Sequence, residues 1–298
     1  MNKRPFGRIL TAMITPFDEF GRLDLVGTEA LARYLVDDLG CDGLVVNGTT
    51  GEAPTTTDEE KKQVIATVVA AIGDRAHVLA GASTNDTTHS VALARDAEKA
   101  GANGLMLVSP YYSLPPQEGI VQHFSTIAQA TDLPVMLYDI PARSTVHIEF
   151  ETYRQLASIP NVVAVKDATG DIAAMHPVRV ETELAMYCGV DAISLPAFAS
   201  GYAGVVSVIA HLFADSLNVM FDAVEDGRMR DAQSHYDALI PAVSALQGPV
   251  QGVIAVKAAL DALGLPAGSP RLPLTSATKV QVAEIVAAIT AAKQGSNR

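Results

Sequence analysis

A lysine closes the apolar run Val162-Val163-Ala164-Val165-Lys166, with Asp167 behind it. Such a lysine either marks the solvated end of a strand or is a desolvated amine. Desolvation disfavours a charged ammonium, and a neutral amine is a nucleophile for a carbonyl carbon. A second run ends Leu137-Tyr138-Asp139-Ile140-Pro141-Ala142-Arg143. Tyr138 reads as core packing with a satisfied hydroxyl, or as a group that takes and returns protons. Arg143 reads as a surface residue, or as a guanidinium that forks onto a substrate carboxylate. A third run ends Val46-Asn47-Gly48-Thr49-Thr50-Gly51-Glu52. Its glycines free the backbone for close approach to an anion, with the hydroxyls of Thr49 and Thr50 alongside, although a glycine-flanked turn is often only a turn. A fourth run ends Ser109-Pro110-Tyr111-Tyr112. Paired loop tyrosines are more often packing or interface residues than catalytic ones.

Other chemistries lack their motifs. No Gly-x-Gly pair occurs, so neither a dinucleotide fingerprint nor a Walker loop is present. No Gly-x-Ser-x-Gly elbow exists. The 7 histidines are scattered and there is no Cys-x-x-Cys, so local zinc motifs are missing. No metal and no cofactor is expected, with a metal site assembled from distant residues left open.

The reactive residues need a scaffold that gathers strand ends. Eight short apolar runs recur along the chain, at 10–15, 43–46, 78–81, 105–108, 135–138, 162–166, 185–188 and 204–208. Helical patterns follow them, among them 27–39, 58–72 and 87–100, with apolar residues three and four apart. Asp58 reads as the N-cap of the second helix, and Gly101 stands where a C-terminal glycine closes the third. Continuous apolar runs suit parallel strands buried on both faces. Eight βα repeats predict an α/β fold, a (β/α)8 TIM barrel, with the chemistry at the C-terminal ends of its strands. The strand signal stops after about 222. Residues 235–246, 250–263 and 276–293 read as helices around a Gly/Pro-rich link at 264–273. The expected organisation is a catalytic barrel over 1–224 and a C-terminal three-helix appendage over 225–298, with no linker to make the latter independent.

Composition sets the surroundings. Of the 298 residues 49% are hydrophobic and 18% charged, an ordinary globular balance. The formal charge of −12 repels polyphosphates, so nucleic acid is not an expected partner. Two cysteines, Cys41 and Cys188, cannot build a disulfide framework and suit a reducing compartment. The first residues lack an apolar signal core, and no apolar run approaches the roughly 20 residues of a membrane helix. A soluble, cytoplasmic protein is expected.

Together the ordered set Gly48-Thr49-Thr50-Gly51-Glu52, Tyr111-Tyr112, Tyr138…Pro141…Arg143 and Lys166-Asp167-Ala168-Thr169-Gly170 resembles the dihydrodipicolinate synthases. These belong to the pyruvate-dependent class I aldolase family that also holds N-acetylneuraminate lyase. The likeness runs from Thr11-Ala12-Met13-Ile14-Thr15-Pro16-Phe17 to Pro270-Arg271-Leu272-Pro273. Each motif is modest, and the set with its spacing is specific. The resemblance implies a homotetramer of tight dimers and a Schiff-base mechanism, with pyruvate and aspartate 4-semialdehyde as substrates. Lys166 would form the imine. Tyr138 would relay protons, linked through Thr49 to Tyr112, which in the family reaches in from the partner subunit. Thr50 and neighbouring amides would hold the pyruvate carboxylate. Arg143 would bind the semialdehyde carboxylate, and Gly189, Val206 and Ala12 would line the pyruvate pocket.

Two departures stand out. Many members read Gly-Glu-Ser where this chain has Gly51-Glu52-Ala53, and Ser-Gly-Asp-Asp where it has Cys188-Gly189-Val190-Asp191. Lysine-inhibited members use a Ser, a Glu, an Asn and a Tyr. Asn85 and Tyr111 match two of these, but Ala53 and His89 stand at the Ser and Glu positions, so strong inhibition by lysine is not expected. The alternatives weighed are an aldolase or dehydratase of the same superfamily acting on a sugar acid such as 2-keto-3-deoxygluconate or N-acetylneuraminate, a metal-dependent barrel enzyme, and a barrel that keeps the shape without the chemistry.

Overall fold

The computed structural model describes residues 4–248 and 250–296. Eight strands close into one parallel barrel in chain order. They are β1 (Ile9–Ala12), β2 (Gly43–Val46), β3 (His77–Gly81), β4 (Gly104–Val108), β5 (Val135–Asp139), β6 (Val162–Asp167), β7 (Ala185–Cys188) and β8 (Gly204–Ser207). Helices lie between the strands, as the alternating pattern predicts. The continuous apolar runs are explained by two separate packings. Leu10, Val45, Met106, Met136 and Ala164 fill the barrel interior. Their chain neighbours Ile9, Leu44, Leu107, Leu137 and Val165 face the surrounding helices.

Strand limits differ from the apolar runs where backbone groups are claimed from elsewhere. β1 stops at Ala12 because Ile14 donates its N–H to His211 Nε2, and the Thr15 hydroxyl donates to the Gly51 carbonyl. The run reaching 208 stops at Ser207, since the Val208 N–H donates to Asp191 and the Val208 carbonyl accepts from His211 Nδ1. Two helical expectations need correcting. The helix Asp58–Ile72 is capped by Thr57, not Asp58. The Thr57 hydroxyl accepts from the Glu60 N–H while the Glu60 carboxylate accepts from the Thr57 N–H, which satisfies two free donors at once. The segment expected as one helix over 27–39 is the helix Leu25–Arg33, followed by a π-helical turn over Tyr34–Asp38.

Three helices follow the last barrel helix, Ala210–Glu225: Met229–Gln247, Gly252–Ala262 and Lys279–Ser296. The first starts six residues before the apolar pattern does, because its opening turn is polar and exposed. Leu217, Leu239, Val256 and Ile289 share one apolar cluster with the barrel strands, so the C-terminal helices extend the barrel's own core. No single helix among the described residues is long and apolar enough to cross a membrane.

Candidate active site

Alternation along β6 puts Lys166 on the same face as Ala164, inside the barrel. Register places it between Tyr138 of β5 and Tyr187 of β7. The residue is only 5% exposed. Its Nζ packs on the Tyr138 ring, 4.0 Å from the centroid, which leaves the amine against an aromatic face and screened from bulk water. Just past β7, Gly189 closes the other side, where an added Cβ would stand 3.1 Å from Lys166 Cε. Val206, Ala12 and Tyr138 belong to the same inner cluster. The sequence readings of Lys166 as a solvated strand end and as a desolvated amine therefore separate, and the burial is that of the second.

The β2 loop is built by its own backbone. Asn47 adopts a left-handed φ of 55°, and its Nδ2 donates to the Lys61 carbonyl. Its carbonyl lies where a Cβ on Gly81 would be 2.2 Å away, so only glycine fits at the end of β3. Thr50 is nearly buried, and Thr49 is partly open. A cavity of about 520 Å³ opens beside the mouth, and Thr49, Tyr138 and Arg143 line it. Lys166, Thr50, Gly189, Val206 and Ala12 do not, so Tyr138 is the residue shared by the cavity and the lysine. Tyr112 is not brought to this site within the chain. It is 88% exposed, with φ of 74°.

The outer part of the cavity holds Ala53, Asn85, His89 and Tyr111, together with Asp58 and Lys61. His89 Nε2 meets Asp58 at 2.8 Å. Despite partial burial, that contact holds the Asp58 carboxyl below its usual range. Burial lowers the Lys61 ammonium, opposed in part by Asp58, and Lys61 donates to the Thr56 carbonyl at 2.6 Å.

Three buried carboxylates stand at strand ends, and sequence reasoning gave them no role. Asp139 accepts from the Tyr153 hydroxyl, the Ile148 N–H and His147, tying down the far side of the loop that carries Arg143; burial still raises its pKa. Asp167 accepts from the Thr169 N–H and hydroxyl and from the Tyr202 hydroxyl at 2.6 Å. Asp191 accepts from the N–H groups of Val208 and Ile209 and from Gln247 of the C-terminal region, and burial raises it too. Their common signal was available: an acid directly after, or within two or three residues of, an apolar run. Burial pushes the Cys188 thiol up to about 12, which makes it a poor nucleophile. Among the described residues no three His, Cys, Asp or Glu side chains gather as a metal site would.

Comparison with known proteins agrees with the fold. The model of the dihydrodipicolinate synthetase family matches residues 5–292. A 4-hydroxy-tetrahydrodipicolinate synthase from Kineococcus radiotolerans is 50% identical over 285 residues, covering 95% of this chain and 92% of the relative. One from Acidothermus cellulolyticus is 52% identical, covering 94% and 91%. Among solved structures, a dihydrodipicolinate synthase from Bacillus anthracis superposes with a TM-score of 0.93 at 41% identity, covering 96% of this chain and 98% of that one. A lysine-bound enzyme from Cyanidioschyzon merolae gives 0.94 at 36% identity, covering 98% and 99%.

Proposed function

The chain belongs to the dihydrodipicolinate synthetase family, and we infer that it is a 4-hydroxy-tetrahydrodipicolinate synthase. It is a Schiff-base lyase that condenses pyruvate with L-aspartate 4-semialdehyde, a step of diaminopimelate and lysine biosynthesis. The observation that carries the mechanism is the Lys166 amine, buried in the barrel mouth against the Tyr138 ring.

The Lys166 amine attacks the ketone carbon of pyruvate, and loss of water leaves an imine. The imine draws electrons from the neighbouring methyl group, which gives up a proton and becomes an enamine carbon. That carbon attacks the aldehyde of the semialdehyde. The substrate's own amine then attacks the imine carbon, closes the ring and displaces Lys166. Burial keeps water from hydrolysing the imine before the aldehyde arrives.

Thr50 and the loop amides hold the pyruvate carboxylate; Ala12, Gly189 and Val206 line the pyruvate pocket. Tyr138 moves the protons, relayed through Thr49, which lines the same cavity. Arg143 binds the semialdehyde carboxylate. Its place on the cavity wall favours an acceptor with a carboxylate at that end, and it offsets locally the repulsion of two anions by a chain of charge −12. Tyr112 completes the relay from a partner subunit; its exposure, and its absence from the lining of its own chain's cavity, support a dimer as the working unit, two of which make the homotetramer. The catalytic barrel comprises residues 1–224 and the helical region 225–298. The enzyme works in the cytoplasm, which is supported by its two cysteines being free and buried.

The test is incubation with pyruvate and borohydride, followed by intact mass and peptide mapping. The expected result is a reduced pyruvate adduct on Lys166. A folded protein with no adduct overturns the mechanism.

A further inference from the structure

Two sequence features take no part in the reaction above: Glu52, which ends the glycine-threonine turn, and Arg271, within Pro270-Arg271-Leu272-Pro273. The fold brings them together with Lys257, which lies on the helix Gly252–Ala262. The side chains of Glu52 and Lys257 are each 2% exposed, and Glu52 Oε1 lies 2.6 Å from Lys257 Nζ. Glu52 Oε2 accepts from the Arg271 backbone N–H at 2.8 Å. The Arg271 guanidinium donates to the carbonyls of Thr55 and Gly21, each at 2.9 Å, and to both carboxylate oxygens of Glu60. Both cations also pack over one ring, that of Phe17, at 4.1 and 4.2 Å from its centroid.

This cluster is fastened to the loop that carries Thr49 and Thr50. Glu52 sits at a left-handed φ of 56°, which is uncommon for a residue with a side chain. Its N–H donates to the Thr49 carbonyl, and its carbonyl accepts from the Thr55 N–H. The next N–H, of Ala53, donates to the Gly48 carbonyl, which closes the turn. On the other side, the Thr15 hydroxyl donates to the Gly51 carbonyl. A buried ion pair repays little of its desolvation, so stability alone does not account for it; what it does impose is a fixed geometry.

We propose that Lys257 and Arg271 act through Glu52 as positioning residues, so that the C-terminal region sets where Thr50 meets the pyruvate carboxylate. This rests on the assignment of Lys166 and Thr50 made above. The appendage is then part of the pyruvate site, although none of its residues touches pyruvate.

The test is borohydride trapping of the full-length protein at graded pyruvate concentrations. The double variant Glu52→Gln/Lys257→Met removes both buried charges together, a change that such pairs commonly tolerate without unfolding. The pyruvate concentration for half-trapping is expected to rise about tenfold, as for one charge-assisted hydrogen bond misplaced. The KM for the semialdehyde, which reads Arg143 on a different loop, should stay within about twofold. A role in folding alone lowers the active fraction and the melting temperature but leaves the half-trapping concentration where it was. A folded double variant with unchanged half-trapping overturns the proposal. If the double variant does not fold, Glu52→Gln alone decides: a rise of about threefold or more supports positioning, as for a weakened neutral hydrogen bond, and no change overturns it. Wild-type protein is trapped first. Failure there removes the reaction assignment and this proposal with it, whereas failure confined to the variants' response removes the proposal alone.

Discussion

Gly189 stands where a side chain would crowd its neighbours, and Gly189→Ala measures how tightly the barrel holds its lysine. A Cβ at that position would lie 3.1 Å from each of Lys166 Cε, Ala168 Cβ and the Asp167 carbonyl oxygen. The Gly189 N–H donates to that same carbonyl at 2.7 Å, so β7 cannot move away without losing the bond. Carbon atoms rest about 3.5–4.0 Å apart, which obliges Lys166 Cε to retreat by about 0.4 Å or more. Squeezing one methyl into a packed interior costs roughly 1–3 kcal/mol. In a chain of this size that lowers the melting temperature by roughly 2–10 °C. The reaction is more sensitive than the fold. A misplacement of about 1 Å costs about a hundredfold, so about 0.4 Å predicts a five- to tenfold loss in the imine-forming step. The assay follows the pyruvate adduct by intact mass after borohydride quenching at successive times, beside a thermal melt. A trapping rate within about twofold of wild type, in a variant that has lost stability as expected, would refute the reasoning, because it would mean that Lys166 forms its imine from a position that Gly189 does not constrain.

Arg143→Ala raises the KM for the semialdehyde by roughly tenfold to a hundredfold, the value of a lost charged hydrogen bond, and leaves pyruvate trapping unchanged. Loss of trapping as well would put Arg143 in the imine step. Tyr112→Phe and Lys166→Ala subunits, each nearly inactive, regain activity when unfolded and refolded together, because a Tyr112→Phe site then borrows the tyrosine of its partner; no recovery would place Tyr112 in the site of its own chain. L-Lysine does not inhibit in the submillimolar range, since Ala53 offers no hydroxyl and His89 is engaged with Asp58; a submillimolar inhibition constant overturns this. The Arg271 hydrogen bond holds the Glu60 carboxyl down to about 2, against 4.5 for a free glutamate. A carboxylate lowered on folding stabilises above its free value, and that contribution drains away as the pH falls from 4.5 towards 2. Glu60→Gln therefore lowers the melting temperature at neutral pH by an amount that shrinks across that window. An equal difference at every pH would deny the pair its charge.

The barrel was legible because its physics is local. A strand buried on both faces must be apolar throughout, so each of the eight runs announced itself, and the residues that break the apolar rule at their ends, Lys166 and the Tyr138–Arg143 stretch, stood out by contrast. The limits of β1 and β8 were not legible, since they are set by His211 and Asp191, which compete for backbone groups from far along the chain. Thr57 was passed over as a cap because its neighbour Asp58 is an equally good one, and only the reciprocal bond with Glu60 decides between them.

The partners of Glu52 lay beyond any local rule. Lys257 sits in a segment that reads only as a helix, and Arg271 sits in a Gly/Pro-rich link where the family resemblance ends but to which no role is given. Nothing in either stretch points to a carboxylate some two hundred residues earlier. Yet the cost of burying Glu52, together with its left-handed backbone, is borne in the very loop that is to meet the pyruvate carboxylate. Local rules describe best the residues that do the chemistry, because a barrel presents them at the ends of its strands. They describe least well the residues that hold those ends in place, because such contacts close only after the chain has come full circle. A catalytic lysine can be read from a strand; the geometry that makes its neighbours useful depends on the last helices to join the core.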